Sequence, residues 1–161
     1  MEKTSLLNSI SETHNAISEQ KVLVNSFLKE FNKKETQFEP ASIIEFFDSV
    51  LVPHFLKENL IFSELLRIGD LDAKTAEVVS ASILDHSDFL EEFLQLGRIA
   101  NRIENGENDL ELDFFKKCQY IIWALSKHAQ VEDIVIFPEI KNKLNVTSFQ
   151  MIEKEFLRKR G

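Results

Sequence analysis

Apolar residues recur through four long stretches of this chain at steps of three and four, the spacing that lines one face of an α-helix. The first stretch covers residues 4–34 and gives way to a polar run at 35–40. The second begins after Pro40 and ends near Gly69; the third starts near Asp72 and runs down to the loop signal NRIENGEND in the 101–108 region. The fourth spans about 110–144. A shorter amphipathic piece at 148–160 predicts a fifth helix closing one end, where Arg158, Lys159 and Arg160 oppose the negative end of the helix dipole. Short connections between long helices predict an all-α, antiparallel up-down four-helix bundle over about residues 4–144, followed by the short C-terminal helix. Pro53 lies inside the second pattern. It lacks an amide hydrogen, so it removes a backbone bond and is expected to bend the helix one residue before His54.

Composition narrows the picture further. Four Gly and three Pro in 161 residues leave room for long helices and argue against a many-turned β fold. The length suits a single domain, 1–161, with one core. A net charge of −8 argues against nucleic acid or an anionic membrane as partner. One cysteine, Cys118, permits neither an intrachain disulfide nor a thiolate cluster, which suits a reducing compartment. The first residues lack a signal-peptide core and no apolar run reaches membrane-spanning length, so the expected location is cytoplasmic.

The chemistry lies on the apolar stripes themselves. They read Leu7, Ile10, His14, Ile17 in the first helix and Phe47, Leu51, His54, Glu58, Ile61, Leu65 in the second. The third gives Val79, Ile83, His86, Leu90, Phe93, and the fourth Phe114, Cys118, Ile121, Leu125, His128, Glu132, Val135. All four histidines therefore fall on core stripes, one per helix, and His54 and His128 are each followed by a glutamate four residues on. A single core histidine ordinarily needs only one hydrogen bond, and a single H-x-x-x-E pair is a common helical neighbour pair. Four imidazoles and two carboxylates in one core are another matter, because their desolvation is severe unless a cation compensates them. At ~1.5 Å rise per residue along antiparallel helices, the six lie at depths of about 15 to 24 Å, a band roughly two turns thick. Six nitrogen and oxygen donors without sulfur suit iron, manganese or zinc. A tetrahedral zinc takes four ligands and leaves two groups unpaired. A pair of ions fits better, preferably two irons, with Glu58 and Glu132 bridging and two histidines on each.

Together His14, His54-Phe-Leu-Lys-Glu58, His86 and His128-Ala-Gln-Val-Glu132-Asp133, continuing through Phe137-Pro138, resemble the hemerythrin-like (HHE cation-binding) domain over about residues 10–140. The resemblance implies two iron ions in a non-haem, oxo- or hydroxo-bridged centre held by those four histidines and two glutamates. Its implied partner is a small gaseous or peroxide ligand; a protein partner or a second copy of the chain stays open. Oxygen carriers of the family place a fifth histidine four residues beyond the one matched by His86, where this chain has Leu90. The four-His, two-Glu set is similar instead to iron-sensing hemerythrin-like domains and to proteins that repair nitrosatively damaged iron centres. The expected function is thus binding or sensing of dioxygen, nitric oxide or iron and redox state, rather than turnover. The alternatives are a di-iron oxidase or peroxidase, or an iron-handling or iron-centre repair protein. A metal-free helical adaptor is opposed by the six polar residues in the stripes.

Neighbouring residues complete the expectation. Asp85 and Asp133 adjoin ligand candidates and could orient imidazoles or shuttle protons, although Asp133 is expected to face solvent. Glu64, Glu91 and Glu92 are expected at the surface, and Tyr120 and Trp123 in packing roles. Cys118 lies about 15 Å from His128 by helical rise, too far to ligate. Most of the fourteen Phe fill the core, and some are available to form a dry wall around the centre.

Overall fold

A computed structural model describes residues 3–31 and 39–160, with five helices and no strand among them. Helix α1 is Lys3–Phe31; the end expected at residue 34 lies outside the described residues. Helix α2 opens at Pro40, whose fixed φ suits a first turn, and runs through Pro40–Phe46, a π-helical turn Phe47–Leu51, and Val52–Ile68. It stops at Gly69, where φ of 72° would strain any residue bearing a Cβ. Asp72 caps α3 (Ala73–Glu104), its side chain accepting from the Thr75 amide at 2.9 Å. Helix α4 joins Glu111–Val131, a second π turn Glu132–Ile136, and Phe137–Lys143. Helix α5, Val146–Arg160, begins two residues earlier than its periodicity suggests, because Asn145 caps it by accepting from the Ser148 amide at 2.9 Å. No helix of the described residues is long and apolar enough to cross a membrane.

The two π turns have one cause. Pro53 and Pro138 offer no amide hydrogen to the carbonyls four residues back, and their rings crowd that position. Each helix responds by admitting one extra residue just upstream: the Val52 amide donates to the Phe47 carbonyl, and the Phe137 amide to that of Glu132. At Pro53 the strain is thus absorbed by a widened turn within a continuing helix. An extra residue shifts the buried stripe, and the effect is visible beyond Glu132, where the fully buried position is Ile136 and Val135 is only half-buried.

In this helical bundle α1 packs on α4, α4 on α3, α3 on α2, and α5 against α2 and α1. The apolar interior forms two clusters. One gathers Ile17 and Val24 with Phe47, Leu51, Phe55, Phe93, Leu96, Phe114, Ile121 and Leu125. The other gathers Ile10 with Ile61, Phe62, Leu65, Val79, Ile136, Ile140, Phe149 and Ile152. Each such side chain, fully buried, contributes on the order of 1.5–3 kcal/mol. The helices cross from one cluster to the other at His14, at His54 to Glu58, at His86, and at His128 to Glu132. A polar layer lies there.

Candidate metal centre

All six stripe residues meet in that layer, none more than 8% exposed and Glu58, His86 and Glu132 fully buried. The four imidazoles turn their Nε2 atoms toward the two carboxylates. His54 Nε2 lies 3.1 Å from Glu58 Oε2, and His14 Nε2 is 3.2 Å from Glu58 Oε1 and 3.4 Å from Glu132 Oε2. His86 Nε2 stands 3.2 Å from Glu58 and 3.3 Å from Glu132, while His128 Nε2 is 2.9 Å from Glu132. The Nε2 atoms of His86 and His128 are themselves 2.8 Å apart. Helical geometry explains the aim: on both α2 and α4 a step of four residues stacks the glutamate one turn beyond its histidine on the same face.

On the far side of the rings, three Nδ1 atoms have partners. His14 Nδ1 donates to Asp133 at 3.0 Å, His86 Nδ1 to the Asn59 side-chain oxygen at 2.7 Å, and His128 Nδ1 to Asp85 at 3.2 Å. A neutral imidazole holding its hydrogen on Nδ1 presents a lone pair at Nε2. Those lone pairs face carboxylate oxygens that also have lone pairs to share, and Glu58 Oε2 and both oxygens of Glu132 are buried with no polar partner but these rings among the described residues. Such an array repels itself unless protons or cations enter it. Phenylalanine rings pack around the layer. Phe55 stacks on His86 at 4.5 Å, Phe62 lies 5.9 Å from the same ring, Phe89 meets His128 edge-on at 5.4 Å, and Phe137 is 5.7 Å from His14.

Protons are one compensation. Burial pushes the His14 pKa down, but hydrogen bonds and charge from Glu132 and Glu58 outweigh it and raise the pKa to about 10. His86, under the same opposing influences, rises to about 9. For Glu58, burial is overcome by the charge of His54 and by hydrogen bonds from His14, His54 and His86, which hold it well below the usual carboxylate range. Glu132 is pushed up by burial and by Glu58, yet its hydrogen bonds to His128, His14 and His86 bring it below that range.

Metal ions are the other compensation, and the donors suit them. Glu58, His86, His128 and Glu132 offer four ligand atoms within 4.8 Å of one another, and His14, His54 and Glu58 form a group of three under the same limit. These groups could hold metal ions, with Glu58 common to both. Bound cations must displace the protons of His14 and His86, so affinity is expected to rise with pH and level off above about 10. The two histidines belong to different donor groups, so each ion displaces one of these protons and gains about 10-fold in affinity per pH unit between pH 7 and 9. Competition titrations against a chelator of known pH dependence measure this slope; a flat affinity over that range contradicts the proton–metal exchange.

Some residues lie elsewhere than their sequence positions suggested. Asp133 keeps 53% of its side chain in solvent, as anticipated, yet still holds His14. Asn59 supports His86, although only its place directly after Glu58 hinted at a role. Tyr120 and Trp123 are exposed by 64% and 50%, so neither packs in the core. Glu64 is buried but is taken up by Arg67 through contacts of 2.6 and 2.7 Å, away from the layer. Cys118 sits in the apolar cluster beyond His128, where burial pushes its thiol pKa up. Between α3 and α4 a groove of about 540 Å³, lined in part by Ser82, Asp85, Phe89 and Trp123, reaches the edge of His128. No protein-family model, curated protein or solved structure matches the chain.

Proposed function

We propose that the chain is a hemerythrin-like, non-haem di-iron protein that binds or senses dioxygen or nitric oxide. The observation that carries this reading is the convergence of four imidazole Nε2 atoms on two buried, under-bonded carboxylates. Six ligand residues in two groups with a shared glutamate suit two ions, and a sulfur-free nitrogen and oxygen set suits iron. The proposed antiparallel up-down arrangement of α1 to α4 draws support from the core. The later part of α1, the earlier part of α2, the later part of α3 and the earlier part of α4 share one apolar cluster, and the complementary parts share the other.

Two bound irons would supply one-electron and oxygen chemistry that no side chain offers. The residues around them have separable tasks. Glu58, common to the two groups, would hold the ions together. Asp133, Asn59 and Asp85 fix the tautomer and direction of three imidazoles. The rings of Phe55, Phe62, Phe89 and Phe137 exclude water. Asp85, 54% exposed, can pass a proton between solvent and His128 Nδ1. Leu90, one turn beyond His86, packs against the apolar cluster and adds no donor. With four imidazoles only, a bound iron pair would leave room for an external ligand. The groove beside His128 favours a second reading on the same centre, an oxidase or peroxidase whose small substrate enters between α3 and α4.

Expression in iron-replete medium and anaerobic purification should give about two irons per chain. Mixing the reduced protein with oxygen should then oxidise it irreversibly, with no return of the reduced spectrum on degassing. One tightly held zinc without iron removes the di-iron reading. Repeated reversible oxygen cycles replace sensing with oxygen carriage.

A further inference from the structure

The two halves of the cluster are not built alike. Glu58, His86, His128 and Glu132 form a four-donor group in which both rings are tied from behind, His86 by Asn59 at 2.7 Å and His128 by Asp85 at 3.2 Å. The other group has three donors, His14, His54 and Glu58. Within it, His14 is tied to Asp133, whose side chain is 53% exposed and open to competition from water. His54 has no tie. Its Nδ1 is buried and has no hydrogen-bond partner among the described residues; behind its contact with Glu58 the ring is held by packing, edge-on to His14 at 5.1 Å and tilted against Phe55.

This difference bears directly on ligation. An imidazole that ligates through Nε2 must carry its hydrogen on Nδ1. Where an acceptor waits, that tautomer is favoured and the ring direction is fixed. At His54 the same hydrogen is buried without an acceptor, which weakens the ligating tautomer, while the other tautomer places hydrogen on Nε2 and blocks the lone pair. His54 is therefore the donor most easily released. Once it lets go, a three-donor group retains two, whereas the opposite group keeps three after losing any one.

We infer that the cluster comprises two unequal subsites, a retentive one at Glu58, His86, His128 and Glu132, and an exchangeable one at His14, His54 and Glu58 from which a divalent ion leaves first. The inference rests on the two-ion reading above. It makes the chain's metal content graded, passing through a one-ion form as free metal falls.

Cobalt(II) is a suitable probe because its visible absorption reports the ligand set without oxygen chemistry. The full chain, freed of metal and reloaded under nitrogen, is mixed with excess chelator in a stopped-flow instrument. Two release phases of equal amplitude are expected, with rates at least about 10-fold apart, the scale on which outer hydrogen bonds tune metal affinity. His54→Ala should abolish the fast phase and retain the slow one. Asn59→Leu, which removes the tie on His86, should accelerate the slow phase and leave the fast one unchanged. Release of two equivalents in a single phase in the wild-type protein overturns the inference alone, as does loss of the slow phase in His54→Ala. Binding of only one equivalent removes the two-ion reading and this inference with it.

Discussion

Glu58→Ala is expected to empty both metal groups at once. Glu58 belongs to each of them and is fully buried, and its two oxygens face different histidines, Oε1 toward His14 and Oε2 toward His54 and His86. Losing a hydrogen-bonded support behind a ligand costs about 10- to 100-fold in metal affinity, so losing the shared ligand should exceed about 100-fold. Glu132→Ala should act mainly on the group of His86 and His128, although Glu132 Oε2 also lies 3.4 Å from His14. Asp133→Ala removes only the exposed support of His14 and should fall in the lower range. Metal content after gel filtration, together with chelator competition, ranks the three. Equal metal in all of them contradicts the sharing of Glu58.

Chelation should then lower the thermal midpoint by an amount that grows with pH. A ligand present at about a thousand times its dissociation constant stabilises the fold by ~4 kcal/mol. For a chain of this size that corresponds to a midpoint shift of roughly 10 °C, and more where both ions are tight. Without metal, the layer depends on protons at His14 and His86, whose pKa values are raised in the fold to about 10 and about 9. Raised histidine pKa values stabilise fully below the unfolded value near 6.5, and that contribution is lost as pH climbs through 9 to 10. The chelated protein should therefore melt progressively earlier between pH 6.5 and 10, while the metal-loaded protein holds its midpoint. Calorimetry of both forms across that range measures the gap. A gap that narrows with rising pH contradicts the compensation of these carboxylates by protons.

The sequence made the layer legible because polar residues on an apolar stripe stand out against a regular period. His14, His54, Glu58, His86, His128 and Glu132 all lie where steps of three and four put them. The same regularity hid the π turns. A period of 3.6 runs on from Glu132 to Val135, whereas the widened turn buries Ile136. The clue was Pro138 at the right distance, and Pro53 marks the matching turn in α2. Asp85 and Asp133 showed themselves as sequence neighbours of His86 and Glu132, yet each reaches a ring on another helix, and Asn59, off the stripe, gave no comparable signal. Tyr120 and Trp123, expected in packing roles, lie at the surface with their rings 6.5 Å apart, because their helical phase turns them outward.

The division of the interior into two apolar clusters has a consequence for how the chain comes apart. Each cluster could keep its own contacts while the other loosened, and the layer between them is the joint. Were cations bound in the joint, opening one end would expose charged ligands and disturb the other, so both ends would melt as a single cooperative unit. Without them the joint would transmit less, and the end closed by α5 would fray while the other stayed shut. The ions would then act as a clutch between two folding units, setting how far a local fluctuation travels along the helices.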